Sequence, residues 1–566
     1  MPRRQIYALF VCLLSLVFVR PAVALQPVRA QHGMVVAQEP IATDVGLAVL
    51  KGGGNAVDAA VAVGFALAVT HPVAGNLGGG GFMLVRFADG RTTFFDFREA
   101  APQKASRDMY IGPDGNPTRD SVFGWRSSGV PGSVAGLEAA YKKFGTKHWA
   151  DLLAPAVKLA QDGFVLSQPV AASLAGQQSL QGDPASKRVF LRNGEPYKPG
   201  ETLHQPDLAG TLKRISEQGA PDFYTGETAK RLAEEMVAHH GLITADDLKN
   251  YKVVERAPLT GTYKNFQIVT APPPSAGGVG LLQMMQMLEG TGYENGGADS
   301  PKAVHYEAEA MRRFYADRSE YLGDPDFYNV PLKQLLDPKY IHWRRGSIDP
   351  ARATPSDLVH PGLPKSLNAG VQWRESQQTT HYNVVDEKGN AVAVTYTLNN
   401  SYGNGITVPG LGFLLNDEMD DFVAKPGAPN MFGLVGGDAN AIEPGKRPLS
   451  SMTPAIVTKG GKLFMVVGAP GGSRITTGVM QVMLDVLDFR MNAQDAVDLP
   501  RFHQQWKPDF LYMEKGFPDT VITELKNMGY EIRPIDGVAR VEAIVVNEGR
   551  LEGGTGSRFH GKVAGY

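Results

Sequence analysis

Two helical patterns of apolar residues open the ordered part of the chain. The first predicts a helix over 44–51, and the second, AVDAAVAVGFALAVT after a cap at Asn55, predicts one over 56–70. Alanine and valine are so frequent in the second helix that we expect it to be buried. Small side chains also let a helix approach a sheet closely.

Alternating apolar and polar residues predict that sheet. FMLVRF (82–87) and TTFFDFR (92–98) flank the turn Ala88-Asp89-Gly90 and predict a hairpin closed by Arg98. A further strand is predicted at 263–271. Other predicted helices lie near 133–144, 148–162, 206–218, 227–240, 280–288, 301–318 and 473–487, after which we expect only short strands.

The sharpest alternation lies in THYNVV and AVAVTYTLN, joined by the turn DEKGN at residues 386–390. If Val385 pairs with Ala391, antiparallel counting places Thr379 opposite Thr397. One face of this hairpin is then apolar, and the other carries small polar side chains. The pattern alone leaves two interpretations: a half-exposed sheet, or a polar face that performs chemistry. The polar set is His381, Asn383, Thr395, Thr397 and Asn399.

Two stretches beside these elements lack a regular period. Residues 346–378 contain four prolines and no sustained pattern, although structureless loops this long are uncommon unless they are functional or processed. Gly78 to Gly81 resembles a phosphate-binding loop, but no GK[ST] follows and the run leads into a strand. We expect the glycines to serve packing or a turn.

Charge and composition narrow the partners. The chain has 56 Lys plus Arg and 58 Asp plus Glu, so no excess of positive charge favours nucleic acid or an acidic membrane surface. A small molecule or peptide is the expected partner.

The N-terminus predicts export. Two arginines precede an apolar stretch of 14 residues (6–19) and the sequence Ala22-Val23-Ala24, in the order of a secretory signal. A membrane anchor is the alternative, but it needs about 20 apolar residues. We therefore expect a signal peptide at 1–24 and a periplasmic or secreted protein. The only cysteine, Cys12, lies within the signal.

Several blocks of sequence resemble the γ-glutamyltransferase family, also called γ-glutamyl transpeptidases. They occur in family order along nearly the whole chain. The blocks are NLGGGGFMLV (76–85), DFREAAP (96–102), GVPGSVAGL (129–137), QTTHYNVVDEKGNAVAVTYTLN, NDEMDDF (416–422), GLVGGDANA (433–441), KRPLSSMTP (446–454) and GAPGGSRI (468–475).

The resemblance implies an α+β fold, a four-layer αββα sandwich of the N-terminal nucleophile hydrolase type. It also implies that the precursor cuts itself between Gln378 and Thr379. A large subunit (25–378) and a small subunit (379–566) would remain together as one intertwined heterodimer. The base for this self-cleavage is not identified by the sequence.

The same resemblance implies the catalytic groups. Thr379 would be the nucleophile, and its freed α-amine, with a pKa of about 7.7 to 8.0 in model peptides, would accept the hydroxyl proton. Thr397 would orient the Thr379 hydroxyl. Gly471 and Gly472 would donate backbone N–H groups to the oxyanion, although the residues alone also fit a tight turn entering a helix.

A donor pocket is implied by six further residues. The γ-glutamyl group carries a carboxylate and an ammonium on its α-carbon, which need separate partners. Without the resemblance, Arg98 would be a surface charge and NDEMDD a solvated acidic loop. The implied carboxylate ligands are Arg98, Ser450 and Ser451, and the implied ammonium ligands are Asn399, Glu418 and Asp421. No metal or cofactor is implied.

Residues 426–437 match the lid over the pocket in related bacterial enzymes, but Phe432 stands where tyrosine is common. Loss of that hydroxyl is expected to loosen closure, so that water competes better with the acceptor.

The predicted reaction is cleavage of the γ-glutamyl amide of glutathione and related compounds through a Thr379 ester. Water, an amino acid or a peptide then takes the γ-glutamyl group. Two alternatives keep the fold: a cephalosporin (glutaryl) acylase and a poly-γ-glutamate transpeptidase. A noncatalytic glutathione-binding protein is a third.

Overall fold

The computed structural model describes residues 26–363, 379–558 and 560–566 of the chain. The predicted signal peptide and Gln378 therefore lie outside the described residues. Within these ranges, no helix combines the length and apolar character needed to cross a membrane.

A seven-stranded antiparallel sheet carries the hairpin that follows residue 379. This front sheet places the two strands of that hairpin near its centre, where neighbours protect both of their edges. Its strands, in spatial order, are Lys562–Gly565, Met34–Ala37, Thr380–Val385, Ala391–Thr397, Gly80–Arg86, Thr92–Phe97 and Val254–Arg256.

A second seven-stranded antiparallel sheet packs against the front sheet. This back sheet draws strands from both sides of residue 379, so chain segments on either side of the predicted cut share one core. Its strands, in spatial order, are Val28–Ala30, Arg550–Thr555, Glu542–Asn547, Lys462–Gly468, Ala455–Lys459, Phe266–Thr270 and Leu259–Tyr263.

Helices cover the outer face of each sheet. Pro40–Lys51, Ala56–Thr70 and Ser133–Phe144 pack on the front sheet. Gly277–Leu288, Ile475–Leu487 and Ala493–Asp498 pack on the back sheet, with Pro301–Tyr321 outside Gly277–Leu288. The four-layer αββα architecture predicted from the family resemblance is confirmed.

The remaining elements surround this sandwich. The other α-helices are Trp149–Asp162, Gln168–Gly176, Gln178–Gly182, Pro184–Phe190, Pro206–Gln218, Ala220–Thr225, Glu227–Ala238, Ala245–Asn250, Leu332–Leu335, Pro338–Gly346 and Asp519–Asn527. Short 3₁₀ helices are Trp125–Ser127, Tyr293–Gly296, Ser356–Leu358, Glu418–Asp421, Asp438–Asn440 and Gly472–Arg474. Minor strands are Phe164–Val165 with Thr202–Leu203, Leu191–Arg192 with Glu195–Pro196, and Phe502–His503, Leu511–Glu514 and Ile532–Ile535.

The alanine-rich helix behaves as its composition predicts. Every residue of Ala56–Thr70 is buried, and Asn55 begins the helix in a reciprocal cap with Asp58. The hydroxyls of Tyr382 and Tyr396 donate to the carbonyls of Ala60 and Gly64, each at 2.9 Å. This helix therefore holds the apolar face of the nucleophile hairpin (380–397) in position.

Several predicted boundaries move. The predicted strand 263–271 begins only at Phe266, because Lys264 turns the chain at φ 51° and Tyr263 ends the preceding strand Leu259–Tyr263. The helix predicted from residue 473 begins as an α-helix at Ile475, after one 3₁₀ turn. The sequence interpretation missed two helices after residue 487, Ala493–Asp498 and Asp519–Asn527.

The predicted register of the nucleophile hairpin is confirmed. Val385 pairs with Ala391 and Thr380 with Tyr396, which brings Thr379 opposite Thr397. The alternative of a half-exposed sheet is wrong, because both strands are buried on both faces. The polar face is covered by the back sheet, where the Asn383 amide donates to the carbonyl of Glu542 at 2.8 Å.

The glycine run packs against the same hairpin. A Cβ on Gly79 would lie 1.9 Å from the carbonyl oxygen of Thr397, and one on Gly81 would lie 2.3 Å from that of Thr395. Side chains at these positions would push the hairpin away. The expected packing role of residues 78–81 is confirmed.

Candidate active site

Thr379 lies just before the strand Thr380–Val385 of the front sheet, and the residue is buried. Its Oγ is 3.3 Å from Oγ of Thr397, and the two residues are 6% and 2% exposed. The backbone N–H of Asn399 donates to the Thr397 hydroxyl at 2.9 Å, which fixes that hydroxyl from the far side. The Thr379 oxygen therefore has a close, held neighbour.

His381 lies two residues from Thr379 and is of a residue type that often acts as a general base. Both of its ring nitrogens, however, lie within hydrogen-bond distance of other residues. Its Nδ1 lies 2.8 Å from the Thr395 hydroxyl, and its Nε2 lies 2.9 Å from Oδ1 of Asn383. Burial lowers the pKa of His381 to about 4, against a smaller opposing effect from Asn383. Both ring nitrogens serve the packing between the sheets, so this residue does not face the Thr379 oxygen.

Gly471 and Gly472 form the turn before the helix Ile475–Leu487. Their φ angles are 144° and 56°, a region in which side chains are strained. Gly472 lines the same cavity as Thr379, with Ser473 beside it. The Tyr315 hydroxyl donates to the Ser473 carbonyl, and the Ser473 hydroxyl donates to Gln505 at 2.9 Å. These bonds fix the turn at the N-terminal end of a helix, where N–H groups favour negative charge.

Arg98 is the centre of a buried charge cluster. It is fully buried, and its guanidinium lies 2.5 Å from the carboxylate of Glu418 and 2.5 Å from that of Asp421. Glu99 lies 3.5 Å away. The surface-charge interpretation of Arg98 and the solvated-loop interpretation of NDEMDD are both wrong.

This cluster places the buried carboxyl groups of Glu99 and Glu418 and the half-buried one of Asp421 around one guanidinium. Burial alone would lower the pKa of Arg98, but Glu418, Asp421 and Glu99 outweigh it and raise that pKa. Burial also raises the pKa of Glu99 to about 7 and the pKa of Glu418 well above its ordinary value, with Arg98 opposing in both cases. The cluster offers three carboxyl groups to a single guanidinium, which leaves acceptors for a ligand that brings an ammonium group.

The serines and Asn399 complete the cavity wall. The Ser450 hydroxyl accepts from the N–H of Met452 at 3.1 Å, and its backbone N–H donates to Pro274 at 2.8 Å. The Asn399 amide donates to the carbonyl of Asp417 at 3.0 Å. Ser450, Ser451 and Asn399 line the cavity together with Arg98.

The segment predicted to be the lid closes one side of the cavity. Phe432 is 4% exposed and lines the cavity with Thr379. Gln505 donates to its carbonyl at 3.3 Å, and its own N–H donates to the Asn430 side chain at 3.0 Å. The ring of Phe432 thus covers the cavity.

Comparison with known proteins agrees with this geometry. The sequence profile of the family described as Gamma-glutamyltranspeptidase matches residues 42–566. The chain is 48% identical over 536 residues to the glutathione hydrolase proenzyme of Escherichia coli (strain K12), covering 94% of this chain and 91% of that protein.

The chain belongs to the γ-glutamyltranspeptidase family.

Solved structures of this fold include the cephalosporin acylase from Bacillus halodurans. It matches with a TM-score of 0.84 at 26% identity, over 96% of this chain and 97% of that one. The γ-glutamyltranspeptidase of Helicobacter pylori matches with a TM-score of 0.56 at 42% identity, over 59% of this chain and 96% of that one. The predicted function, enzymatic cleavage and transfer of γ-glutamyl groups, is confirmed at the level of the family.

Within the γ-glutamyltranspeptidase fold of this chain, one cavity unites residues that lie far apart along the sequence. Of the predicted catalytic and substrate-binding residues, Gly471 is adjacent to the lining and the others belong to it. The shared set is Thr379, Thr397, Gly472, Arg98, Asn399, Glu418, Asp421, Ser450, Ser451 and Phe432.

Sequence reasoning missed Arg318 and Glu99. Arg318 lines the cavity from the helix Pro301–Tyr321, in the stretch YADRSEY, and Glu99 pairs with Arg98 from the adjacent position. The sequence of this helix does indicate that Arg318 is inside the protein, since charged residues lie on faces that also carry alanine and aromatic residues. Such a helix, buried on most sides, must place some charges inside the protein.

Proposed function

We propose that this enzyme cleaves the γ-glutamyl amide of glutathione-like donors, with Thr379 as nucleophile and water, an amino acid or a peptide as acceptor. The observation that carries the proposal is the shared cavity of Thr379 and the Arg98 cluster. A hydroxyl held by Thr397 lies in the same cavity as a guanidinium ringed by carboxylates. This combination matches an acyl donor that carries both a carboxylate and an ammonium.

The first half of the reaction forms an ester. The Thr379 oxygen attacks the γ-carbonyl carbon while its proton moves to the α-amine of the same residue, freed by the proposed cut. The C–N bond of the γ-amide then breaks, and the leaving amine takes that proton. Thr397 orients the attacking oxygen, because its hydroxyl is held at 2.9 Å by the Asn399 backbone.

The second half regenerates the threonine. Water or an acceptor amine attacks the ester and passes its proton to the α-amine, and the Thr379 oxygen leaves with a proton. Gly471 and Gly472 donate to the oxyanion of both tetrahedral intermediates. Their turn is pinned through Ser473 before the donor arrives, so little reorganisation is needed.

Donor recognition favours a γ-glutamyl group over a glutaryl group. The donor carboxylate would pair with Arg98 and the serine pair at 450–451, and its ammonium with Glu418 and Asp421. A glutaryl side chain carries no α-ammonium. Its carboxylate would pair with the Arg98 guanidinium, and the carboxyl groups of Glu418 and Asp421 would then lack a cation. The acidic excess of this cluster therefore argues against the cephalosporin acylase alternative.

Processing and location are part of the proposal. The precursor loses a signal at 1–24, reaches the periplasm or the medium, and cuts itself between Gln378 and Thr379. The large (25–378) and small (379–566) subunits stay together, because the back sheet combines strands from both, such as Phe266–Thr270 and Ala455–Lys459. The enzyme uses no metal or cofactor. Activity lost on chelation and restored only by a metal would contradict that part.

Intact mass under denaturing conditions tests the nucleophile. We expect two fragments meeting at Gln378 and Thr379 for the wild type and a single chain for Thr379→Ala. Thr380→Ala is the matched control, since it removes the neighbouring buried hydroxyl but leaves Thr379 in place. A folded wild type that stays uncut would overturn the mechanism.

Substrate choice needs a separate comparison. Release of product from glutathione, glutaryl-cephalosporin and poly-γ-glutamate should be measured side by side, with glutathione expected to be fastest. A faster glutaryl substrate would favour the acylase. Binding of glutathione without turnover would favour the noncatalytic alternative.

A further inference from the structure

Arg318 is a second buried guanidinium in the catalytic cavity. It lies near the end of the helix Pro301–Tyr321 and is 6% exposed. One turn before Arg318, the Tyr315 hydroxyl donates to the carbonyl of Ser473, beside the turn Gly471-Gly472, which we call the oxyanion turn. Directly after Arg318, the carbonyl of Ser319 accepts from the N–H of Gly437 at 2.9 Å. Arg318 is thus held between the oxyanion turn and the lid.

The two arginines differ in their partners. Arg98 is within 2.5 Å of two carboxylates, whereas Nε of Arg318 has no hydrogen-bond partner among the described residues. Burial lowers the pKa of Arg318, with Tyr315 and Asp421 opposing. A buried cation without a close anion is costly, so an anionic ligand at this position is strongly favoured.

Arg318 also borders a much larger space. A groove of about 710 Å³ adjoins the catalytic cavity and shares Arg318, Asp421 and Leu434 with it. By contrast, Arg98, Glu418 and the two serines line the cavity but not the groove. The volume of the groove lies in the range of ligand pockets. Arg318 therefore lies where the cavity passes into the groove.

We propose that the groove binds the peptide part of the substrate and that Arg318 pairs with its C-terminal carboxylate. This inference rests on the proposed function and adds a site for the leaving or accepting peptide. A dipeptide extends about 7 Å beyond the scissile bond. Arg318 lines both the cavity of Thr379 and the groove, so it lies on the path that a leaving peptide of this length would take from one to the other.

The test compares donors that differ only in the leaving group. Wild-type kcat/KM should be about ten- to a hundredfold higher for glutathione than for its glycine amide, which lacks the carboxylate. In Arg318→Gln, this preference should disappear. Activity on a γ-glutamyl anilide, whose leaving group has no carboxylate, should fall far less than activity on glutathione. Arg318→Lys should recover part of the preference.

Arg119→Gln is the matched control, because Arg119 is an exposed cation lining the outer groove above the ring of Phe123. It should leave the preference for the carboxylate intact. If Arg318→Gln lowers kcat/KM equally on all three donors, the inference is overturned. Arg318 would then serve to position Asp421 instead of binding the peptide carboxylate. A wild type that treats glutathione and its amide alike would also overturn it, without any variant. Failure of the proposed function is distinguishable, since the anilide would then not be cleaved at all.

Discussion

The two walls of the catalytic cavity are built by different physical means. On one wall, Thr379, Thr397 and the glycine turn are neutral groups whose positions follow from strand register and backbone turns. On the other wall, Arg98, Glu418 and Asp421 are charges that meet from separate segments and hold one another. We infer that the first wall performs the bond exchange and that the second selects the donor.

This difference predicts distinct kinetic effects. A change on the neutral wall should lower kcat, because the donor still binds in its charged pocket. A change on the charged wall should raise KM and also alter stability, since it leaves unpaired charge inside the protein. The four substitutions below sharpen or break this division.

Arg98→Gln should have the largest effect. Removing the guanidinium leaves the buried carboxyl group of Glu418 and the half-buried one of Asp421 without their cation, a loss of about 2 to 5 kcal/mol at such sites. We expect kcat/KM to fall by about a hundredfold to a thousandfold, mostly through KM. Steady-state kinetics measure this, and Arg98→Lys should recover part of the loss. A fall confined to kcat would contradict the division.

Thr397→Val should lower kcat by about a hundredfold with little change in KM. It removes the hydroxyl that lies 3.3 Å from the Thr379 oxygen but keeps the shape of the side chain. Thr397→Ser, which retains the hydroxyl, is the matched control. Full activity in the valine variant would show that Thr397 does not orient the nucleophile.

Glu99→Gln should change how stability depends on pH. The Glu99 pKa is raised to about 7 in the folded protein, against 4.5 ordinarily, so the folded state keeps a proton that the unfolded state releases in that window. Glu99 therefore contributes a loss of stability as pH rises from about 4.5 to 7, by at most about 3 kcal/mol.

Thermal unfolding across that pH range provides the measurement. The unfolding temperature of Glu99→Gln, measured relative to that of the wild type, should increase as pH rises. Glu255→Gln is the control, because hydrogen bonds from Lys143 and Thr93 lower the pKa of Glu255. A constant difference between Glu99→Gln and the wild type would show that Glu99 does not titrate there.

Phe432→Tyr should have the smallest effect, a rise of a few-fold in the ratio of transfer to hydrolysis. The ring is buried over the cavity, so an added hydroxyl must find a partner inside and would tighten closure. Product analysis with and without an acceptor peptide measures the ratio. Phe123→Tyr, at the exposed rim of the groove, is the control. An unchanged ratio of transfer to hydrolysis in Phe432→Tyr would contradict the hypothesis that the missing hydroxyl loosens the lid.

Predictions from local pattern succeeded where neighbours in sequence decide the structure. The cap at Asn55, the helix Ser133–Phe144 and the pairing of Val385 with Ala391 all follow from residues within one element. Predictions failed where distant contacts decide. The polar face of the nucleophile hairpin resembles a solvated surface until the back sheet covers it.

The catalytic cavity shows the same limit. Family resemblance named most of its lining, but Arg318 and Glu99 were missed because neither belongs to a local pattern of chemistry. Arg318 becomes part of the site through tertiary contacts of its helix, among them the hydrogen bond from Tyr315, one turn away, to Ser473.

The sequence by itself determined the main helices of the front layer, the register that sets Thr379 opposite Thr397, and the family. Only the tertiary structure decided which charges are paired. Arg98 acquires Glu418 and Asp421 from more than 300 residues away, whereas Arg318 is placed at a groove where its Nε has no hydrogen-bond partner within the described part of the chain. Hydrogen bonding and side-chain period act over a few residues, so sequence reveals them. Charge pairing depends on which segments the packed core brings together.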